Sequence, residues 1–164
     1  MSTITTLVWA ELLYRLYPDV DVVTDDQQWM NGHVKPPIIQ LETDIVSEKT
    51  HTPQAVRIIE DVGLIFRFKK VEDPGAQQPY IQIDVELLRA YLRKHKYQVA
   101  SQAHKTLLVL QEPTIKTFKD RVEFECRYSY LLNTDSADIS LPGEKKPEKI
   151  NHFYVKSDGE EIEA

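Results

Sequence analysis

Cysteine is almost missing from this chain: Cys126 is the single one among 164 residues. No internal disulfide and no paired-cysteine zinc site can be built from it, and a reducing compartment suits the composition. Glycine is scarce, with five residues. None belongs to a phosphate-cradling loop, and no serine stands in a G-x-S-x-G turn. Long apolar runs are missing as well. None approaches the ~18 residues of a membrane span. The opening MSTITTLVWAELLYRLYP has no positive leader and carries Glu11 and Arg15, so it is not expected to act as a signal peptide. The five histidines, His33, His51, His95, His104 and His152, make neither H-x-H nor HExxH spacing. They read as surface groups, with His95 and His104 the one pair that could meet in space.

Positive charge is the remaining deficit. The net charge is −6; eight of the 26 acids but four of the 20 basic residues fall from Asn133 onward, leaving 18 acids against 16 basic groups before it. The body is therefore nearly neutral and the end acidic. Sequence-specific nucleic-acid binding, which needs a clustered positive face, is not expected.

What is present is patterned. Residues 3–17 read as an amphipathic helix, with Ile4, Leu7, Val8, Trp9, Leu12, Leu13 and Leu16 apolar and Thr6, Glu11 and Arg15 on the wet side. Ser2 or Thr3 caps it, and Pro18 ends it. Residues 20–23 make a short strand, and 24–36 a polar loop with turn chemistry at Asn31-Gly32. Pro36-Pro37 then hold the chain extended at the entrance to a strand from about Ile38, because proline has no amide hydrogen to give a sheet interior. In that strand Ile39, Leu41, Thr43 and Ile45 alternate with Gln40, Glu42 and Asp44.

Residues 55–69 are the longest strand expected. Val56, Ile58, Val62, Leu64, Phe66 and Phe68 share one side, with Glu60 as the charged exception among them. The two strands form a hairpin joined near 47–53. After a loop at 72–79, Asp84 caps a helix over 85–96 that turns Val85, Leu88, Tyr91 and Leu92 inward. Its last turn gathers Arg93, Lys94, His95 and Lys96 at the negative end of the helix dipole. Residues 106–115 and 121–131 make a second hairpin, with Val122, Phe124, Cys126, Tyr128 and Tyr130 inward. The fold class is α+β: a four- to five-stranded, mainly antiparallel sheet with two helices on one face. That domain spans 1–132. An acidic extended C-terminal arm follows over 133–164, with Ile150, Phe153, Tyr154 and Val155 as an apolar island.

Groups that carry chemistry are few. Asp25-Asp26 lack the spacing of a calcium or magnesium loop and read as a solvated loop. Cys126, at an inward position, reads as a small apolar group and not as a thiolate. Pro18-Asp19 with Glu144-Lys145-Lys146 offers the elements of a PD-(D/E)xK nuclease, but the second part lies in the proline-flanked tail and not on a core strand. No enzyme activity, metal or cofactor is expected. Arg89, Arg93, Lys94 and Lys96 form the best positive patch, either a solvated helix end or a contact for an acidic partner such as a neighbouring subunit's tail.

The succession TITTLVWAELLYRLYP, polar loop, VKPPIIQLE, VRIIEDVGLIFRFKK, DVELLRAYLRKHK and DRVEFECRYSYLL resembles the tail terminator and head–tail joining (neck) proteins of tailed bacteriophages. The likeness covers about residues 1–132 in the order and type of elements. It departs in the longer tail and in the lack of glycine in the last hairpin turn. The resemblance implies a structural virion protein of the tail or neck, assembled in the host cytoplasm. It implies a homo-oligomer, a hexameric ring that caps the tail tube and joins it to the head connector, with no membrane partner. Subunit and partner contacts are then expected at Trp29, His33, Pro36 and Pro37, at Arg89, Arg93 and Lys94, and at Ile150, Phe153, Tyr154 and Val155. The alternative is a small non-enzymatic interaction or adaptor domain that stays monomeric, or another neck or head-completion protein.

Overall fold

A computed structural model describes residues 3–133 and two short strands, 154–157 and 160–163. The chain divides into two compact units, Met1–Thr134 and Asp135–Ala164. In the first, the elements run α1 (Ile4–Leu16), β1 (Asp21–Val23), α2 (Asp26–Met30), β2 (Ile38–Thr52), β3 (Ala55–Arg67), β4 (Lys69–Lys70) and β5 (Tyr80–Ile81). They continue with α3 (Glu86–Lys94), β6 (Gln98–Ser101), β7 (Thr106–Leu110), β8 (Thr114–Thr117) and β9 (Arg121–Asn133). In the second unit β10 (Tyr154–Ser157) pairs antiparallel with β11 (Glu160–Glu163). The arm expected to be extended thus holds a two-stranded pair, while Ile150, Phe153 and the Glu144–Lys146 stretch lie outside the described residues.

The class is α+β, but the sheet is larger than the pattern implied. Seven strands run in the order β1-β2-β3-β9-β7-β6, with β8 also on β9. Two differences make up the count. The expected 106–115 strand breaks into β7 and β8 around Pro113, which has no amide hydrogen for a ladder. The unassigned stretch 97–104 supplies β6, an edge strand on β7. The short β1 pairs parallel to β2, opposite Ile38, Ile39 and Gln40. β2, at 15 residues, exceeds β3 at 13.

α1 is capped by Thr3, whose hydroxyl accepts from the Thr6 amide at 3.2 Å. Its buried side is Thr5, Thr6, Val8, Trp9, Leu12 and Leu13. Ile4 and Leu7, expected inside, are 50% and 44% exposed. Thr6, expected outside, shares a 2.8 Å hydrogen bond with the Thr43 hydroxyl of β2. The helix is rotated from its hydropathic face because its first turn docks through hydroxyls. Past Thr43 the cover stops, so Ile45, expected inside, is 59% exposed.

The core joins α1 and α3 to one face of the sheet: Trp9, Leu12 and Leu13 with Leu88 and Leu92 over Ile39, Leu41, Leu64, Phe66, Phe124 and Tyr128. Tyr17, at the end of α1, ties α3 down. Its hydroxyl donates to the Asp84 carbonyl at 2.7 Å and accepts from the Leu88 amide at 3.2 Å. α3 ends at Lys94, two residues earlier than expected, because Lys96 and Tyr97 turn into the left-handed region (φ 54° and 58°) and aim the chain into β6.

Glu60, the charged residue at an inward position of β3, is 1% exposed. Its carboxylate accepts from the Thr5 hydroxyl at 2.7 Å, from Tyr130 at 2.7 Å and from Tyr128. Removing it strands three donors, those of Thr5 and Tyr128 buried and that of Tyr130 partly buried. Glu60→Ala is expected to lower the free energy of unfolding by on the order of 3 kcal/mol, and Glu60→Gln, which keeps an acceptor, by about half that. Urea unfolding measures both, and an unchanged midpoint for Glu60→Ala would contradict this role.

Candidate functional site

The sheet face turned away from α1 and α3 is open and charged. The pairing register sets Glu42 and Glu125 on either side of Gly63, and Asp44 beside the Asp61–Arg127 pair. Because Gly63 brings no side chain, a groove of about 420 Å³ runs there between Glu42, Asp44, Glu112, Glu125 and Arg127. Asp61 is held below the usual carboxylate range by the hydrogen bonds Arg127 donates to it at 2.8 and 3.0 Å. Among the described residues, no three His, Cys, Asp or Glu side chains are placed to hold a metal ion.

At one end of the same face the charge reverses. Arg67 ends β3 and Arg121 begins β9, and the register places them directly opposite each other. Like charges in that position repel. Arg121 is neutralised: it donates to Glu123 at 2.8 Å and Asp120 at 3.1 Å, and its guanidinium lies 4.2 Å from the centre of the Phe118 ring. Arg67 lies 4.6 Å from the centre of the Trp29 ring, and its Nε–H donates to the Gln40 side chain. Burial, and then the neighbouring Arg121, hold its pKa below the ordinary value. Among the described residues no carboxylate forms an ion pair with Arg67.

The backbone adds to this corner. The Phe68 amide donates to the Asp120 carbonyl at 2.9 Å, which sets Lys69 and Lys70 beside the turn that carries Lys119. Lys116 of β8 lies opposite Glu123. Backbone pairing thus brings the segments that carry Arg67, Lys69, Lys70, Lys116, Lys119 and Arg121 to one end of the sheet, together with two acids, Asp120 and Glu123. This cluster was not found in the sequence because it is split between FRFKK and KTFKDR, some fifty residues apart. The available signal was that both runs interleave aromatic with basic residues.

The residues singled out from the sequence are dispersed. Trp29 is in the corner, on α2, a helix where a loop was expected, started by the Asp25 carboxylate accepting from the Gln27 amide at 2.9 Å. Pro37, joined to Pro36 by a cis peptide bond, leads into Ile38, the residue opposite Arg67. His33 is exposed in the connection between α2 and β2. Arg89, Arg93 and Lys94 lie apart on α3, which leads to the far sheet edge at β6. Arg89 and Arg93 both bind Glu86, so the patch is partly neutralised. Tyr154 and Val155 belong to β10. His95 stacks on Tyr91, and no contact joins it to His104 among the described residues.

Cys126 is 3% exposed, and its thiol donates to the Gln111 carbonyl at 3.2 Å. Burial pushes it up from 9.0 to about 12, the opposite of what a nucleophile requires. No protein-family profile matches the chain, and a comparison with curated proteins finds no match.

Burial also raises Tyr17 from 10.0 to about 12. Both groups hold their protons more tightly folded than unfolded. Their stabilising contribution is therefore complete below pH 9 and is lost as the pH climbs toward 12, at up to about 1.4 kcal/mol per pH unit for each group. Unfolding midpoints are expected to fall first above pH 9, and Cys126→Ala to remove that earliest part of the decline. A flat profile across this range would contradict the assignment.

Proposed function

We propose that the chain is a non-enzymatic structural protein that self-associates head to tail into a ring. Its role is that of a phage tail terminator or head–tail joining protein, capping a tail tube and docking it to the head connector. What supports the reading is the pair of open edges on the main sheet. β1 covers β2 only at Ile38–Gln40, so among the described residues no strand lies along the outer side of Thr43–Thr52. On the other flank β7 reaches β9 only at Tyr128 and Ser129, which leaves Tyr130–Leu132 without a strand on that side.

Unpaired edges of this kind are templates for pairing with another chain. They lie on opposite sides of one three-stranded projection of β2, β3 and β9, so the β2 edge of one copy can meet the β9 edge of the next. A contact between two different surfaces closes into a ring when its rotation allows. Exposed apolar side chains line the projection: Ile45 at 59%, Val46 at 45% and Leu131 at 53%. Val46 occupies the bulge between Ile45 and Ser47, a device that bends an edge and limits which strand can pair with it.

Light scattering across concentrations, followed by negative-stain imaging, is expected to find a discrete oligomer with a central hole. Ile45→Lys and Val46→Lys should shift it toward monomer, while the free energy of unfolding changes by less than about 0.5 kcal/mol, since both side chains are exposed. A strictly monomeric chain, alone and with tail tubes, would overturn the proposal in favour of a small adaptor domain.

A further inference from the structure

We infer that the Arg67 corner is a receptor for carboxylates, and that it takes the acidic segment 158–163 of a second copy. The inference rests on the self-association proposed above, which brings that copy into reach.

Three observations converge on it. The first is an unanswered charge. A guanidinium has five N–H donors in a flat fork; in Arg67 the Nε–H is used by Gln40, and no other acceptor bonds the side chain among the described residues. Its guanidinium lies over the Trp29 ring, 4.6 Å from the ring centre, and its Nε–H is tied to Gln40, so the two contacts together restrict where the remaining N–H groups point. A fixed guanidinium edge is the geometry that grips a carboxylate with two parallel hydrogen bonds.

The second observation is the repulsion left in place. Arg67 faces Arg121 across the ladder, and both acids that neutralise the pair are bonded to Arg121. An incoming carboxylate on Arg67 relieves that repulsion. The third is the balance of charge. The corner carries six basic residues against Asp120 and Glu123, and the segment DGEEIE carries four acids. The excess of four on one side equals the excess of four on the other.

Nucleic acid is the other polyanion a basic corner with aromatic rings would suit. The footprint opposes it. The adjoining face is acidic, with Glu42, Asp44, Glu112 and Glu125 around the groove, so a phosphate backbone would meet repulsion within a few nucleotides of the corner. A short peptide ends before it gets there.

The test uses the full chain with its own segment neutralised by Asp158→Asn, Glu160→Gln, Glu161→Gln and Glu163→Gln. A peptide of residues 154–164 is titrated in, and the indole N–H signal of Trp29 is followed by NMR. Trp9, buried in the core, serves as the internal control for an intact fold. A saturable shift of Trp29 but not Trp9 is expected, weakening with salt. Arg67→Gln should weaken it about tenfold or more, as loss of a charged hydrogen-bonding group does. Lys119→Gln, at an exposed turn, should weaken it less while leaving the fold untouched.

A peptide with the four acids replaced by amides should give no shift. No saturation, an undiminished response in Arg67→Gln, or tighter binding of inorganic phosphate or a single-stranded oligonucleotide than of the peptide would each overturn the inference. A ring that forms without any peptide binding would overturn it and leave the assembly reading standing. Peptide binding by a chain that never oligomerises would support a carboxylate receptor and remove the second copy as its occupant.

Discussion

A buried carboxylate fixes how the layers of this fold meet. Glu60 lies on β3, the strand paired with β2 on one side and with β9 on the other, and it faces the helix layer. Burying a charge there costs several kcal/mol unless it is met by donors. The donors come from Thr5 of α1 and from Tyr128 and Tyr130 of β9, so the cost is offset only when helix and strands stand in one mutual register. Trp9 packs edge-on to Tyr128, with ring centres 5.9 Å apart, and its Nε–H is buried with no partner. A polar knot of this kind specifies position more than it adds stability: an apolar residue at position 60 would let α1 slide. It also explains the rotation of α1, since Thr5 and Thr6 must face the sheet and Ile4 and Leu7 are therefore turned to solvent.

The two sheet faces divide the labour. The covered face is apolar apart from that knot. The open face carries charges in bands: acids around Gly63, then the Asp61–Arg127 pair toward the projection, and the basic corner at the opposite end. The register produces this banding, because a two-residue slip between β3 and β9 would set Glu123, in place of Arg121, opposite Arg67. Near-neutrality of the whole body thus conceals separate acidic and basic bands on one face.

Much of the frame could be read from the sequence where side chains obey periodicity. β3 and β9 alternate without interruption, and their inward residues are as expected, Glu60 included. Thr3 and Pro18 bracket α1 by ordinary capping and termination. Hydropathic periodicity failed where one polar group is buried by another, as in Thr6 with Thr43, because hydropathy counts such residues as wet. It failed at α2 and β6, which at five and four residues are too short for a period to register. It also overlooked the basic corner, which exists only through the β3–β9 pairing. The cluster on α3 was conspicuous because its residues adjoin in sequence, yet Glu86 already engages two of them.

That contrast bears on function. A cleft enzyme concentrates its unusual groups at the bottom of a pocket, with perturbed acids or nucleophiles poised for proton transfer. Here the titratable groups that burial shifts most, Tyr17, Cys126, Tyr128 and Tyr130, all move toward the protonated, unreactive form, and all serve packing. The features left without an internal explanation among the described residues are peripheral instead: strand edges with no neighbouring strand, exposed Ile45, Val46 and Leu131, and an arginine whose hydrogen bonding is through Nε alone. Each costs the isolated chain something in solubility or repulsion, and each is a cost that the proposed contact with another chain would remove. Surfaces of that kind are the ones the proposed assembly would use.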